Sequence, residues 1–124
     1  YPTQLQHVRK LFNTFQPKNI VAESNAMGEP LCDQLIKDGL PISKFFTSNS
    51  SKRSIIEGLQ VAFEQGDLKI FGHLALLDEL ESFEMTISGL GTVHYSAPDG
   101  GHDDCVISLA LAWNAIRFDS GITF

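Results

Sequence analysis

A chain of 124 residues, 43% hydrophobic and 19% charged, has the make-up of one globular domain that can build a core without a metal or disulfide staple. No apolar run approaches the roughly 18 residues of a membrane span, and no signal-peptide pattern opens the chain. A formal net charge of −6 argues against a simple cationic nucleic-acid binder. The expectation is a single domain over residues 1–124, and Tyr1 in place of a methionine reads as the start of a piece of something longer.

Residues 3–16 carry Leu5, Val8, Leu11, Phe12 and Phe15 at helical spacing, which predicts an amphipathic helix ended before Pro17. "NIVAESN" (19–25) follows as a short apolar strand with a polar end. "MGEPLCDQLIKDG" predicts a second helix, with Pro30 in its first turn and Gly39 as its stop. "LPISKFFTS" (40–48) reads as a strand. "NSSKRSIIEGLQVAFEQG" (49–66) is a capped helix with Ile55, Ile56, Leu59, Ala62 and Phe63 as its stripe and Gly66 at its end. "LKIF" is short and strand-like, and "LALLDELESF" (74–83) is an acid-rich helix whose Asp78, Glu79, Glu81 and the following Glu84 read as a solvated face. "EMTIS" and "TVHYS" alternate around "GLG" as a hairpin would. A last helix covers roughly 102–117. Trp113 and the phenylalanines are expected in the core. Helices alternating with short strands indicate an α/β layered fold. Neither a Walker A loop nor a GxGxxG follows any strand.

Cys32 and Cys105 lie in apolar helical contexts, which suits free thiols in a reducing compartment. No Cys/His spacing suits zinc.

Two places set acids against apolar elements. Glu23 ends "IVAE", where a buried strand emerges. Asp103 and Asp104 follow "GGH" at the mouth of the last helix, where the macrodipole favours negative charge. One N-cap would account for one of them, not both. Asp103 shares a face with Val106, Ile107 and Ala110 by i+3, i+4 and i+7 spacing, so it should point along the buried side. Carboxylates gathered at strand ends and a helix start form a hard oxygen site suited to Mg²⁺ or Mn²⁺. Two such ions roughly 3.5–4 Å apart would activate a water and stabilise the leaving oxygen of a phosphodiester. His102 is a candidate ligand or proton shuttle, or a loop histidine in an ordinary hydrogen bond. Gly100 and Gly101 either give the loop freedom to approach a ligand closely or form a tight turn. Lys52 and Arg53, beside Asn49, Ser50, Ser51 and Ser54 at a helix start, could hold a DNA phosphate backbone or form a solvated cap.

"VAESNAMGEPL", "TSNSSKRSIIEGLQVAFEQGDLKI", "LLDELESF" and "YSAPDGGHDDCVISLALA" resemble, in order and over most of the chain, the C-terminal nuclease domain of phage terminase large subunits. The resemblance implies a ribonuclease-H-like fold, a mixed sheet flanked by helices. It also implies a metal-dependent endonuclease that cuts concatemeric double-stranded viral DNA during packaging, in the cytoplasm of a bacterial host. Its implied partners are the ATPase domain of the same parent chain, the portal protein and the small terminase subunit. Glu23 matches the family's carboxylate at the end of a later strand. Asp103, with Asp104 beside it, matches the carboxylate at the start of the C-terminal helix, and inward spacing favours Asp103. The family's first-strand aspartate has no counterpart, so the first strands of the fold are expected upstream of Tyr1. The isolated chain is then expected to bind metal weakly and to cut DNA poorly or not at all.

Three other readings compete. Cys105 or Ser96 could be a nucleophile with His102 as base, although no "GxSxG" elbow occurs and a cysteine on a buried helix face is poorly exposed. The fold could be a non-catalytic module that binds DNA or docks to a packaging motor. It could also belong to another ribonuclease-H-like enzyme, such as a resolvase.

Overall fold

The computed structural model describes residues 2–25, 28–87, 91, 93–97 and 103–117. These form two units, Tyr1–Thr47 and Ser48–Phe124.

The first unit runs α1 (Pro2–Phe15), β1 (Ile20–Glu23), α2 (Glu29–Lys37) and β2 (Ile42–Phe45). The two strands pair in parallel, Ile20 opposite Ile42 and Glu23 opposite Phe45. Parallel neighbours need a crossover, and α2 supplies it. Pro30 sits in the first turn of α2, where a missing N–H costs nothing. Gly39 adopts φ +89°, a left-handed conformation that ends the helix. Cys32 and Leu35 on α2 and Leu5 on α1 are buried.

The second unit runs α3 (Asn49–Glu64), α4 (Leu74–Ser82), β3 (Glu84–Ile87), β4 (Val93–Ser96) and α5 (Asp104–Arg117). Ser48 caps α3 through a reciprocal box with Ser51: its hydroxyl accepts from the Ser51 N–H, and the Ser51 hydroxyl accepts from the Ser48 N–H. Strands β3 and β4 pair antiparallel, Glu84 opposite Ser96, as the alternation around "GLG" predicts. Helix α5 packs on both α3 and α4. The core is aliphatic: Ile55, Ile56, Leu59 and Ala62 from α3, Leu76 from α4, and Val106, Ile107, Ala110 and Leu111 from α5 are all buried. Each large aliphatic side chain buried there contributes roughly 1.5–3 kcal/mol.

Two expectations need correction. Residues 68–71, "LKIF", join no ladder: a strand needs a paired neighbour, and among the described residues none pairs there. The phenylalanines do not fill the core. No described phenylalanine is buried, and Phe15, Phe46 and Phe71 are exposed, because the tight helix contacts are made by smaller β-branched and Leu side chains. Trp113 is half-buried. Cys32 is buried, Cys105 half-buried, and both are free thiols, as expected. No helix among the described residues is long and apolar enough to cross a membrane.

Candidate metal centre

In the first unit, Glu23 is the last residue of β1. The ladder continues one step beyond it, where the Ser24 N–H donates to the Phe45 carbonyl at 2.9 Å. The chain then turns at once into α2: Asn25 Oδ1 accepts from the Gly28 N–H at 2.8 Å, and the Asn25 carbonyl accepts from the Glu29 N–H at 2.9 Å. Glu23 is thus presented, exposed, at the carboxyl end of a parallel strand, the edge of an open α/β sheet where ligands collect. Thr47, just past β2, donates its hydroxyl to Glu23 Oε1 at 2.5 Å, a short charge-assisted bond that holds the carboxylate. Lys44 is committed elsewhere in the unit. Its ammonium donates to Asp33 at 2.6 Å and Glu29 at 3.2 Å, and these partners raise its pKa above the usual lysine value.

In the second unit, Asp103 immediately precedes α5, and its carbonyl accepts the first helical bond, from Ile107 N–H at 2.9 Å. That is the N-cap position, whose side chain ordinarily takes the amide of the second or third helical residue. Here both amides are already taken. Glu79, reaching from α4, accepts from the Cys105 N–H at 2.9 Å and from the Val106 N–H at 3.2 Å through one oxygen, Oε1. The Asp103 carboxylate instead accepts from the Lys52 ammonium, Nζ to Oδ2 at 3.1 Å, with the two side chains 24% and 28% exposed. Asp104 is exposed in the first turn of α5. Asp103 is the inward acid, on the face of the buried Val106, Ile107 and Ala110, as the i+3, i+4 and i+7 spacing predicts.

Glu79 departs from the expected solvated acidic face, and neither its bonds to α5 nor the bond from Thr47 to Glu23 is among the expectations from the sequence. Glu79 carries no local signal, since its partners lie 26 and 27 positions away. Thr47 would have been flagged by the rule that ligands gather at carboxyl ends of parallel strands, given that β1 and β2 are neighbours. His102, Gly100 and Gly101 lie outside the described residues.

Lys52 and Arg53 share the first turn of α3. Arg53 donates to Glu57 at 2.9 Å, and Glu57 also accepts from the Tyr95 hydroxyl at 3.2 Å. The Arg53 guanidinium holds the Glu57 carboxyl below the usual carboxylate range. Burial, reinforced by Glu57, pushes the Tyr95 phenol up. Arg53 lines a shallow hollow of about 380 Å³ with Ser50, Ser54 and Arg117. A hydrogen bond to Glu79, followed by burial, pushes the Cys105 thiol up, which does not suit a thiolate nucleophile. Among the described residues no three His, Cys, Asp or Glu side chains gather closely enough to hold a metal. The carboxylate oxygens of Glu23 and Asp103 are of the kind a hard cation takes, and Asp103 is half-buried and not engaged as a cap.

A family model described as the terminase RNaseH-like domain matches residues 1–115. The chain belongs to this family. Among curated proteins it is 27% identical over 122 residues to the terminase large subunits of Thermus phage G20c and Thermus virus P23-45, covering 98% of the chain. The chain spans 25% of the length of those relatives. Among solved structures it is similar to the large terminase nuclease of phage G20c with bound cobalt and with bound magnesium. Each is 28% identical with a TM-score of 0.80 over 90% of this chain, and the chain covers 60% and 59% of them, respectively. The α/β architecture of this family member is therefore ribonuclease-H-like, as the motifs imply.

Proposed function

We propose that the chain is part of the nuclease domain of a terminase large subunit, which as a whole protein hydrolyses phosphodiester bonds of concatemeric double-stranded phage DNA during genome packaging. Family membership supports this reading, as do the metal-bound nucleases it resembles. The observation that carries it is the state of Asp103. An acid at the N-cap position would ordinarily cap its helix, but Glu79 does so, leaving the Asp103 carboxylate to the Lys52 ammonium.

Glu23 and Asp103 are each ligands for divalent cations in this reading, with Asp104 favouring the helix dipole beside Asp103. Carboxylate oxygens suit Mg²⁺ or Mn²⁺, and such ions supply Lewis acidity and an activated water for phosphodiester hydrolysis. Thr47 orients Glu23 through its hydroxyl. Lys52, once displaced from Asp103 by a metal, is a cation at a helix start and can take a DNA phosphate, with Arg53 one residue further on. In the parent protein the domain works beside an ATPase domain, with the portal and the small terminase subunit as further partners, in the cytoplasm of the host cell.

The test is plasmid cleavage in Mg²⁺ or Mn²⁺ by a terminase large subunit carrying this domain. Asp103→Asn and Glu23→Gln are each expected to lower the rate by at least about 100-fold, the upper end of what is lost with a residue that only orients a ligand. Rates within about twofold of the unaltered protein in both variants would overturn the reading.

A further inference from the structure

Three acids stand at the start of helix α5: Asp103 at the N-cap position, Asp104 in the first turn, and Glu79 from a different helix. Only Glu79 is bonded to those amides. Its Oε1 takes the N–H groups of Cys105 and Val106, which are the two donors an N-cap side chain would satisfy. Both amides are part-buried, and leaving them unpaired would cost free energy. If Glu79 did not occupy them, the carboxylate with the shortest path would be that of Asp103, by rotation about its own side-chain bonds. Asp103 would then be a cap and no longer a free ligand.

We propose that Glu79 is a positioning residue for the metal centre, a surrogate cap that keeps Asp103 available to a divalent cation. The proposal rests on the reading that Asp103 binds metal. Glu79 is assigned a positioning role and not a ligand's because its Oε1 already accepts from two amides of α5. It acts on the metal only through where it leaves Asp103. Groups that orient a ligand in this way typically change metal affinity by about 10–100-fold when removed.

The distinction is between hydrogen-bond acceptance and charge. A glutamine keeps an oxygen of the same reach and loses the charge. An aspartate keeps the charge and is one methylene too short to span from α4 to both amides. Mn²⁺ titration of a terminase nuclease domain that contains this whole chain, followed by water-proton relaxation, reads affinity directly, with circular dichroism confirming the fold of each variant. Glu79→Gln is expected to bind Mn²⁺ within about threefold of the unaltered chain, and Glu79→Ala about tenfold more weakly. Glu79→Asp, which preserves the acidic side chain should the alanine variant fail to fold, is expected to match the alanine loss. Tenfold weaker binding by Glu79→Gln would make Glu79 a ligand or a charge effect and overturn the proposal. Unchanged binding by folded Glu79→Asp or Glu79→Ala would overturn it as well. Asp103→Asn, run in parallel, separates the two levels: if it leaves Mn²⁺ affinity unchanged, the functional reading fails, whereas if it lowers affinity and the Glu79 variants do not, only the role of Glu79 fails.

Discussion

Glu23 and Asp103 are carboxylates at the ends of secondary-structure elements, one in each unit, and their surroundings differ in kind. Glu23 is placed by the parallel ladder, stands exposed, and is held by a neutral donor, the Thr47 hydroxyl at 2.5 Å. Asp103 is placed by a helix start, is half-buried, and is held by a cation, the Lys52 ammonium at 3.1 Å. A strand end has no pressing claim on an adjacent carboxylate, because its last amide and carbonyl are already in the ladder. A helix start does have such a claim, since its first amides lack partners. Freeing an acid there takes a second acid from elsewhere, and Glu79 is that acid. A ligand at a helix start therefore needs more support than one at a strand end, and its affinity should be the more sensitive to neighbouring residues.

That asymmetry can be broken or sharpened by single substitutions. The larger effect is expected at Lys52. Lys52→Met removes the cation that competes for Asp103, so Mn²⁺ affinity should rise about fivefold, or about 1 kcal/mol, the upper end for a partly exposed ion pair. If Lys52 takes a DNA phosphate, as proposed, the same variant should also cleave DNA more slowly. Mn²⁺ binding that stays the same or weakens would show that the ammonium does not compete for Asp103. A smaller effect is expected at Thr47. Thr47→Val removes the hydroxyl but keeps the shape, and should weaken Mn²⁺ binding only about twofold, with at most ~1 kcal/mol lost from the stability measured by urea denaturation. A loss at Thr47 larger than the change at Lys52 would reverse the comparison.

Much of this arrangement is legible in the sequence, and the illegible part has a physical reason. The helices and their ends follow from apolar spacing, the Ser48–Ser51 box and the glycines at 39 and 66, all of which are local. The inward turn of Asp103 follows from its register with Val106, Ile107 and Ala110. The partners of the two carboxylates do not follow, because they are distant in sequence: Thr47 lies 24 positions from Glu23, and Lys52 lies 51 from Asp103. Lys52 was recognisable as a candidate for phosphate contact, but its pairing with Asp103 depends on how α3 meets α5. Glu79 looked like one more solvated acid because its amide partners belong to another helix. The phenylalanines depart from the expected core because hydrophobicity predicts burial only on average, and none of those described is buried.

Mn²⁺ titration of the two asparagine variants tests most directly the proposal that Asp103, and not its neighbour Asp104, is the metal-binding acid of this helix start. Asp103→Asn should weaken Mn²⁺ binding by at least about tenfold, while Asp104→Asn should stay within about twofold of the unaltered chain. Equal losses in both variants, or a larger loss at Asp104, would contradict the account.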